Sequence, residues 1–186
     1  NRSSGKMGVA LAEAVQDRGG KVILIAGNIS VKYPDVSSII KVKTTVEMLE
    51  AVKIEMAKAD IIIKAAAPSD YRIEEIFLQK IKAERLSLNL VKNPDIAKYV
   101  GKNKDRKILV VFAAETNDLL ENASVKLKEK NADIIVANDV TKEGAGFGSD
   151  TNIATIIRKD GVMTSYERMP KRELADLILD NILEIS

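Results

Sequence analysis

The protein has 186 residues, of which 46% are hydrophobic and 30% are charged, a composition typical of one soluble domain with a sizeable core. Its 29 basic and 27 acidic residues give a formal charge of +2, which is too balanced to predict binding to nucleic acid or to a membrane. Because the sequence lacks both histidine and cysteine, it excludes thiolate catalysis, a cysteine-ligated metal and the usual general base.

The remaining residue types favour reactions driven by positioning and charge neutralisation, phosphate chemistry above all. No apolar run approaches the ~20 residues that span a bilayer. The absence of cysteine fits a cytoplasmic location, which we take as the expectation.

The first predicted element is a helix that follows a polar segment at residues 1–8. Its apolar face at helical spacing consists of Met7, Ala10, Leu11, Ala14 and Val15. Ser3 or Ser4 is expected to be the N-cap, and the glycine pair at 19–20 ends the helix. A polar segment leading into a helix N-terminus is a natural anion site, although a plain capped helix is the alternative. The segment is not a Walker motif, because no glycine lies at the required earlier position.

Strands at 21–27 and 39–43 and a helix from about residue 44 to 57 come next. Thr44 or Thr45 is expected to cap that helix, with Glu47 completing a capping box with Thr44. The β-branched run at 61–63 predicts a strand buried on both faces. This order of elements predicts an α/β fold with a parallel sheet and crossover helices.

The end of the strand at 61–63 is the first candidate site. Three alanines at 65–67 leave space, and Pro68 stops the ladder because proline cannot donate to it. Asp70 then lies in the crevice at the carboxyl end of the strand, where open α/β sheets bind ligands, and could hold a metal ion or a ribose. Lys80 and Lys82 could reach phosphate. An ordinary strand, a turn and a solvated basic loop explain the same residues equally well.

The middle of the chain repeats this pattern. Residues 86–90 alternate as a half-exposed strand does, and Pro94 is expected at the first position of a short helix. The buried strand at 108–112 again ends in two alanines, so the two strand ends are expected to frame one pocket. On the helix at 117–130, Lys126 and Lys130 lie one turn apart on one face, for which a solvated surface is the alternative explanation.

The last third predicts an antiparallel hairpin at one edge of a mostly parallel sheet. A strand at 134–137 precedes a glycine-rich loop at 143–150, which is not a dinucleotide fingerprint because no helix follows it. Strands at 152–157 and 162–166 are joined by Asp160-Gly161, a strong hairpin turn. Pro170 is expected to start the final helix, whose apolar stripe is Leu174, Leu177, Ile178, Ile182 and Leu183.

Taken in order, seven short motifs resemble one family. They are Asn-Arg-Ser-Ser-Gly-Lys-Met-Gly at 1–8, Ala-Ala-Ala-Pro-Ser-Asp-Tyr-Arg at 65–72, Lys-Ile-Lys at 80–82, Lys-Asn-Pro-Asp-Ile at 92–96, Phe-Ala-Ala-Glu-Thr at 112–116, Ala-Asn-Asp-Val at 137–140 and Gly-Phe-Gly-Ser-Asp at 146–150. The sequence resembles phosphopantothenoylcysteine synthetase, the phosphopantothenate–cysteine ligase of coenzyme A biosynthesis. Each motif alone is weak, but the ordered set is specific and covers essentially the whole chain.

The resemblance implies a Rossmann-like three-layer domain that usually forms a homodimer. Bacterial members commonly follow a flavin-dependent phosphopantothenoylcysteine decarboxylase in one bifunctional chain. They activate the carboxylate of 4′-phosphopantothenate with CTP and Mg²⁺, which forms an acyl-cytidylate and releases pyrophosphate. The amine of L-cysteine then displaces CMP. Eukaryotic relatives use ATP.

The resemblance also implies roles for individual residues. Asn1 matches the asparagine that contacts the acyl-nucleotide intermediate, and Lys80 matches the lysine needed for turnover. Lys126 and Lys130 match the pair that binds the triphosphate, while Ser3 and Ser4 hold phosphate. The remaining nucleotide contacts match Ala66, Asp70, Asn93, Pro94, Asp95, Ile96 and Phe112, with Asp70 also the candidate magnesium ligand.

The sequence departs from the family pattern in two places. The family has a strand and a Gly-Gly-Thr loop before the motif at 1–8. We therefore expect residues 1–186 to be a single ligase domain that lacks its first strand. In one interpretation, this domain was excised from a bifunctional chain. The loop after Lys82 also looks shorter than usual. The segment at 144–150 and the hairpin after it are the candidate dimer contact.

Two other functions fit the predicted fold. A dinucleotide-dependent oxidoreductase has the same layers, but the sequence lacks Gly-x-Gly-x-x-Gly between a strand and a helix. A non-catalytic nucleotide-sensing module would bind CTP without releasing pyrophosphate. Fold alone does not choose among the three hypotheses.

Overall fold

The computed structural model describes residues 3–75, 79–115, 119–139 and 148–186. In these ranges the helices are α1 (Lys6–Asp17), α2 (Thr45–Glu55), α3 (Ile96–Asn103), α4 (Leu119–Glu129) and α5 (Lys171–Glu184). The strands are β1 (Ile23–Ala26), β2 (Ser38–Lys41), β3 (Ile61–Lys64), β4 (Tyr71–Ile73), β5 (Leu90–Lys92), β6 (Ile108–Glu115), β7 (Ile134–Asp139), β8 (Thr151–Arg158) and β9 (Met163–Pro170). None of the described helices is long and apolar enough to cross a membrane.

The main sheet has the strand order β3-β6-β7-β8-β9. Strands β3, β6 and β7 are parallel, with Ile61 opposite Ile108 and Val110 opposite Ile134. Strands β8 and β9 form an antiparallel hairpin, and β9 occupies the edge. Gly161 takes a positive φ of 94° in the hairpin turn. The predicted α/β class and the hairpin at one edge are confirmed.

The sheet is covered on both faces, which confirms the three-layer arrangement. Helices α1 and α5 pack on one face, where β6 and β7 contribute Val110, Ile134 and Val136. Helices α2, α3 and α4 cover the other face, where the same strands contribute Leu109, Val111, Ala113, Ile135 and Ala137. This alternation follows from the two-residue period of a strand. Because both faces of β6 and β7 are buried, these strands need nearly continuous apolar runs, and the sequence contains such runs.

The other parallel pair, β1 with β2, is not hydrogen-bonded to the main sheet. Strand β3 pairs only with β6 among the described strands, so one edge of β3 and one edge of β1 lack a partner strand there. Ile61 is 40% exposed and Ile23 is 37% exposed. The expectation that the run at 61–63 is buried on both faces holds only in part: Ile63 and Ile62 pack half-buried against the two cores, whereas Ile61 at the open edge is exposed.

A small antiparallel sheet joins β4 to β5, with Tyr71 opposite Lys92 and Ile73 opposite Leu90. The strand expected at 86–90 begins only at Leu90, and β4 was not predicted. Both strands have three residues and are largely exposed, so neither shows the alternation of buried and exposed side chains that identifies a longer strand.

Helix caps were predicted with mixed success. The Thr44 hydroxyl accepts the Glu47 N–H at 3.1 Å as expected, although the Glu47 carboxylate accepts the Lys43 N–H rather than that of Thr44. The N-cap of α1 is Gly5, at φ 86°, and not Ser3 or Ser4. Only Gly fits there, because a Cβ would lie 2.5 Å from Cγ2 of Ile29.

At the other two predicted starts, proline lies outside the helix. Asp95 is the N-cap of α3, and its carboxylate accepts the Lys98 N–H at 2.9 Å. Pro94 therefore precedes the cap and is not the first helical residue. Pro170 likewise occupies the N-cap position of α5.

The α5 face against the sheet should dominate the stability of the fold. Ile178 is 0% exposed, whereas Leu183 on the same helix is 65% exposed. We expect Ile178→Ala to lower the free energy of unfolding by about 2–5 kcal/mol, through lost burial and the cavity that remains. Leu183→Ala, the matched control, should change it by less than about 0.5 kcal/mol. Denaturant unfolding measures both, and equal effects would contradict this assignment of the core.

Candidate functional site

The site begins at the carboxyl end of β3, which lies beside the parallel strand β6, and β6 continues from there to Glu115. Lys64, the last residue of β3, is opposite Val111 of β6. Of the alanines that follow Lys64, Ala65 is half-buried against the α1–α5 core, whereas Ala66 is exposed. Phe112 is half-buried and packs against the same core, so its side chain has a structural role whatever else it contacts.

The turn before α3 is fastened to the segment that follows β3. The Asn93 N–H donates to the carbonyl of Asp70 at 2.7 Å, and the Asn93 side-chain amide donates to the carbonyl of Ser69 at 2.9 Å. Arg72 adds a hydrogen bond of 2.8 Å to the carbonyl of Lys92. Two predicted site segments, 65–72 and 92–96, are thereby brought together. Ile96 is only 3% exposed and packs in the core, so it offers a ligand almost no surface.

Asp95 links α3 to α4. Besides capping α3, its carboxylate accepts a hydrogen bond of 2.6 Å from the Lys130 ammonium. Burial opposes ionisation of this carboxyl, but the hydrogen bonds from Lys130 and from the Lys98 N–H outweigh it and hold the pKa of Asp95 below its usual range. Without a ligand, Lys130 is therefore paired, and a phosphate must compete with Asp95 for it.

A polar cleft of about 450 Å³ opens beside this pair. Its lining is Lys92, Asn93, Asp95, Lys98, Glu129 and Lys130. A separate groove of about 400 Å³ between β2 and α2 is mainly apolar and contains none of the predicted site residues. The cleft is therefore the better candidate for a charged ligand.

Lys64 belongs to this site and was given no role in the sequence analysis. Burial lowers the pKa of its ammonium, while Asp95 and Asp70 favour the charged form and Lys130 and Lys126 oppose it. The charges of these four groups therefore reach Lys64 at the end of β3. A lysine that ends an otherwise apolar strand, directly before the alanines, is the signal that could have identified it.

Lys80 and Ser3, two residues with predicted roles, do not line the cleft. Lys80 is exposed, and it makes no hydrogen bond or ion pair within the described ranges. Asn1 lies outside the described residues. Ser3 is exposed, at the opening of the chain near α1.

Lys6 connects the first motif to the glycine-rich motif near residue 150. Its ammonium donates to the carbonyl of Gly148 at 2.8 Å and to Asp150 at 2.6 Å, and it holds the pKa of Asp150 below its usual range. Lys171 holds the same segment by donating to the carbonyls of Ser149 and Thr151, and burial lowers the pKa of its ammonium. The motifs at 1–8 and 146–150 therefore meet at the N-terminus of α1. The residues at 140–147 lie outside the described ranges.

Ser4 is part of the same region. Its carbonyl accepts the Ser30 N–H at 3.0 Å, and its hydroxyl accepts the Lys6 N–H at 3.4 Å. The backbone contact anchors the motif against the loop after β1. The long, weak hydroxyl contact is one that an anion at the helix N-terminus could replace.

Asp70 is the candidate magnesium ligand. In the part of the chain that the structure describes, no three Asp, Glu, His or Cys residues are grouped so as to hold a metal ion. Mg²⁺ in phosphate-handling sites is held by one or two carboxylates together with the phosphates of the substrate. The exposed carboxylate of Asp70, within electrostatic reach of Lys64, fits an ion that arrives with a phosphate chain. It does not fit an ion held by protein groups alone.

Comparison with known families assigns the whole chain. The family described as "DNA/pantothenate metabolism flavoprotein C-terminal domain" matches residues 1–185. The chain belongs to this family. The membership predicted from the ordered motifs is confirmed.

The relatives of this family member are longer proteins. The coenzyme A biosynthesis bifunctional protein CoaBC of Bacillus subtilis (strain 168) is 44% identical over 189 residues, which cover 100% of this chain and 47% of that protein. The CoaBC protein of Escherichia coli (strain K12) is 40% identical over 190 residues, which cover 98% of this chain and 46% of that protein. The chain thus spans about half the length of the curated relatives it matches.

The fold agrees with a solved member of the family. The crystal structure of the C-terminal domain of CoaBC is 37% identical in sequence and superposes with a TM-score of 0.84, covering 99% of this chain and 85% of that one. The predicted Rossmann-like α/β fold is confirmed by this likeness.

In this family member, the backbone of α3 lies very close to the backbone just after α4, and this approach sets the distance between the two helices. A Cβ at Gly101 would lie 1.7 Å from the carbonyl oxygen of Lys130. The Asn131 amide donates to the Gly101 carbonyl at 2.8 Å, and Asn131 takes the left-handed conformation, with φ 46°, just after α4. Gly101 is therefore what allows Lys130 to reach Asp95.

We expect Gly101→Ala to push the end of α4 away from α3 and to lower the free energy of unfolding by about 1–3 kcal/mol. The Asp95–Lys130 pair should weaken, so the pKa of Asp95, followed by NMR titration, should rise toward its ordinary value. Gly8→Ala is the control, since nothing lies within 4 Å of its Cβ, and helix propensity should then make it neutral or slightly stabilising. An unchanged Asp95 titration in Gly101→Ala would contradict the linkage.

Proposed function

We propose that this chain is a phosphopantothenate–cysteine ligase domain. It joins 4′-phosphopantothenate to L-cysteine through an acyl-cytidylate, as a step of coenzyme A biosynthesis. The observation that supports this most is the polar cleft beside the Asp95–Lys130 pair, where the turn at 92–96 is hydrogen-bonded to the segment at 65–72. Segments far apart in the sequence build it, in a member of a family whose relatives are called coenzyme A biosynthesis proteins.

The first half-reaction needs charge neutralisation above all. A carboxylate oxygen of phosphopantothenate attacks the α-phosphorus of CTP, the bond from that phosphorus to the bridging oxygen breaks, and pyrophosphate leaves. Lys126 and Lys130 bind the triphosphate and offset its charge. Asn1 contacts the acyl-cytidylate that forms, and Ser3 and Ser4 at the start of α1 bind phosphate.

In the second half-reaction the cysteine amine attacks the acyl carbon. The amide bond forms, the bond from that carbon to the CMP oxygen breaks, and the amine gives up a proton. Lys80, near the α-phosphate, offsets the charge that builds up in both steps. Since the nucleophiles are substrate groups, a chain without histidine and cysteine can support both reactions.

Asp70 would hold Mg²⁺ together with the phosphates, and the ion, when bound, supplies positive charge that stabilises the leaving pyrophosphate. The base is proposed to lie against the turn at residues 93–96. There the Asn93 N–H and the Asp95 carboxylate are already bonded within the protein, so the other backbone groups and Ala66 remain for contacts. CTP in preference to ATP is part of this proposal.

Pyrophosphate release by the protein at its full natural length tests the proposal. The assay contains phosphopantothenate, Mg²⁺ and either CTP or ATP, with and without cysteine. We expect release that depends on phosphopantothenate and prefers CTP, and formation of an amide once cysteine is added. Nucleotide binding without release from a folded protein would replace the ligase by the nucleotide-sensing module. Binding of a nicotinamide dinucleotide instead would favour the oxidoreductase.

Lys80→Gln separates turnover from binding. We expect the rate of pyrophosphate release to fall at least about 100-fold, because one charge-stabilising donor is lost from the transition state. The melting temperature should not change, since Lys80 is exposed. Lys102→Gln, an exposed residue of α3, is the matched control and should retain the full rate. A Lys80→Gln protein that works at the normal rate would remove Lys80 from the mechanism.

We infer that the protein forms a homodimer, as the resemblance implies, and two surfaces compete for the contact. The hairpin expected from the sequence presents Val162 and Met163, both 45% exposed. The β4–β5 sheet and the segment before β5 present more exposed apolar side chains, which are Tyr71, Ile73, Leu86, Leu88 and Leu90. A two-stranded sheet this short is marginal alone, and a second copy would extend and cover it. We therefore place the dimer contact at β4–β5.

Sedimentation of two charge variants distinguishes the surfaces. Leu90 is 59% exposed and Val162 is 45% exposed, so an aspartate at either position should leave the fold of the monomer intact. We expect Leu90→Asp to weaken the dimer at least about tenfold, because it buries a charge in the interface, and Val162→Asp to leave it unchanged. The opposite result would return the interface to the hairpin.

Two features outside the site complete the proposal. We infer that a further strand pairs between β1 and β3, since each has an edge without a partner strand in the described part of the chain. We also propose that a flavin-dependent phosphopantothenoylcysteine decarboxylase is fused to or associated with this domain, which is supported by the bifunctional nature of the CoaBC relatives. The cytoplasmic location stays a prediction.

A further inference from the structure

Asn152 is a polar side chain in the interior of the protein, 1% exposed near the start of β8. The register between β8 and β9 shifts between Asn152 and Ala154, so Ile153 has no partner residue in β9. Such a β-bulge leaves one residue outside the ladder, and bulges are common next to active sites, where they re-aim a side chain. The Ile153 N–H instead donates to Oδ1 of Asn152 at 3.1 Å.

This contact fixes the direction in which the Asn152 amide faces. Because a backbone N–H is a donor, the atom of Asn152 that meets it must be the carbonyl oxygen, and the NH2 group then faces the other way. That NH2 group donates to Oδ1 of Asn138 in β7 at 3.0 Å. The side-chain oxygen of Asn138 is thereby occupied within the protein. A chain of donors and acceptors that starts from the Ile153 N–H therefore sets the orientation of both amides.

The NH2 group of Asn138 is left open to a ligand. Asn138 is half-buried, and its NH2 group donates no hydrogen bond to a residue in the described part of the chain. Every buried side-chain nitrogen and oxygen within the described ranges has a hydrogen-bond partner, so this NH2 group retains accessible surface there. It is a donor that is held in a fixed direction.

The position of Asn138 in the sheet places this donor near the predicted site residues. Asn138 lies at the carboxyl end of β7, opposite the end of β6, where open α/β sheets bind ligands. By the two-residue period of a strand it shares a face with Val136, and Phe112, a predicted nucleotide contact, packs against the same core. Lys6 ties the start of α1 to the segment just before β8. The motif at 137–140, which has no role so far, supplies the donor.

We propose that Asn152 is a positioning residue of the site, which holds the amide of Asn138 so that the Asn138 NH2 group donates to an oxygen of a bound substrate. This inference rests on the proposed function. The acceptor is an anionic oxygen, either of the phosphopantothenate carboxylate or of the CTP phosphates. Asn152 itself touches no ligand and acts through Asn138.

Binding titrations of CTP and of phosphopantothenate, each alone, into the protein at its full natural length test this inference. We expect Asn138→Ala to weaken binding of the substrate that it contacts by about 10- to 100-fold, the usual effect of losing a hydrogen bond to a charged group. Asn152→Leu keeps the size of the side chain but not its hydrogen bonds, and it should weaken binding of the same substrate by about 3- to 10-fold. The substrate that is affected identifies the acceptor.

A double-mutant cycle separates a positioning role from a structural one. In a protein that already carries Asn138→Ala, the change Asn152→Leu should weaken binding no further, because the amide through which Asn152 acts is gone. Asn181→Leu is the matched control, since Asn181 is also buried, at 8% exposure, and its amide donates to a carbonyl within α5. This control should leave both affinities unchanged.

Each outcome supports or overturns the inference. Asn138→Ala with wild-type affinity for both substrates, or Asn152→Leu that weakens binding equally with and without the Asn138 amide, overturns it and leaves the proposed function intact. A wild type that binds neither nucleotide nor phosphopantothenate overturns both. If Asn152→Leu does not fold, Asn152→Asp replaces it in the cycle, because a carboxylate still accepts the Ile153 N–H but no longer donates to Asn138.

Discussion

The candidate site depends on the two hydrogen bonds that the Asp95 carboxylate accepts. One carboxylate caps α3 by accepting the Lys98 N–H and also accepts the ammonium of Lys130, the residue after α4. Its ionised form is therefore needed for two interactions at once. Because these bonds hold the pKa of Asp95 below its ordinary value, their contribution to stability is present above that value and is lost as the pH falls through the lowered pKa. Neutral and mildly acidic conditions preserve the site.

The protein uses its ammonium groups in two distinct ways. Lys6 and Lys171 donate to carbonyls and to Asp150, which satisfies them within the fold and fixes the segment at 148–151. Lys130, by contrast, pairs with Asp95 in the lining of a polar cleft, where a ligand can replace this partner. The same residue type is therefore structural in the segment before β8 and available for binding beside α3. The distinction comes from whether backbone carbonyls or a ligand-accessible carboxylate accept the hydrogen bond.

Local signals in the sequence predicted the parts of the fold that depend on local physics. The apolar runs of β6 and β7, the Thr44 cap and the turn at Gly161 are encoded within a few residues each. Gly5 as the cap of α1 was not predictable, since its requirement comes from Ile29, far away in the sequence. The exposure of Ile61 likewise depends on which strand is its neighbour. At the site, the motifs indicated Lys126, Lys130 and Asp95, but the charge environment of Lys64 exists only after the chain has folded.

The contact between the Gly101 backbone and the Lys130 carbonyl has a consequence for the kinetics of recognition. Two helices in direct backbone contact cannot shift relative to each other without breaking the packing of both. Adaptation to a ligand at this end of the cleft is therefore limited to side-chain rotations, which take place in picoseconds to nanoseconds. Encounter by diffusion, and not a slow rearrangement of the backbone, then sets the rate at which a phosphate chain is captured there.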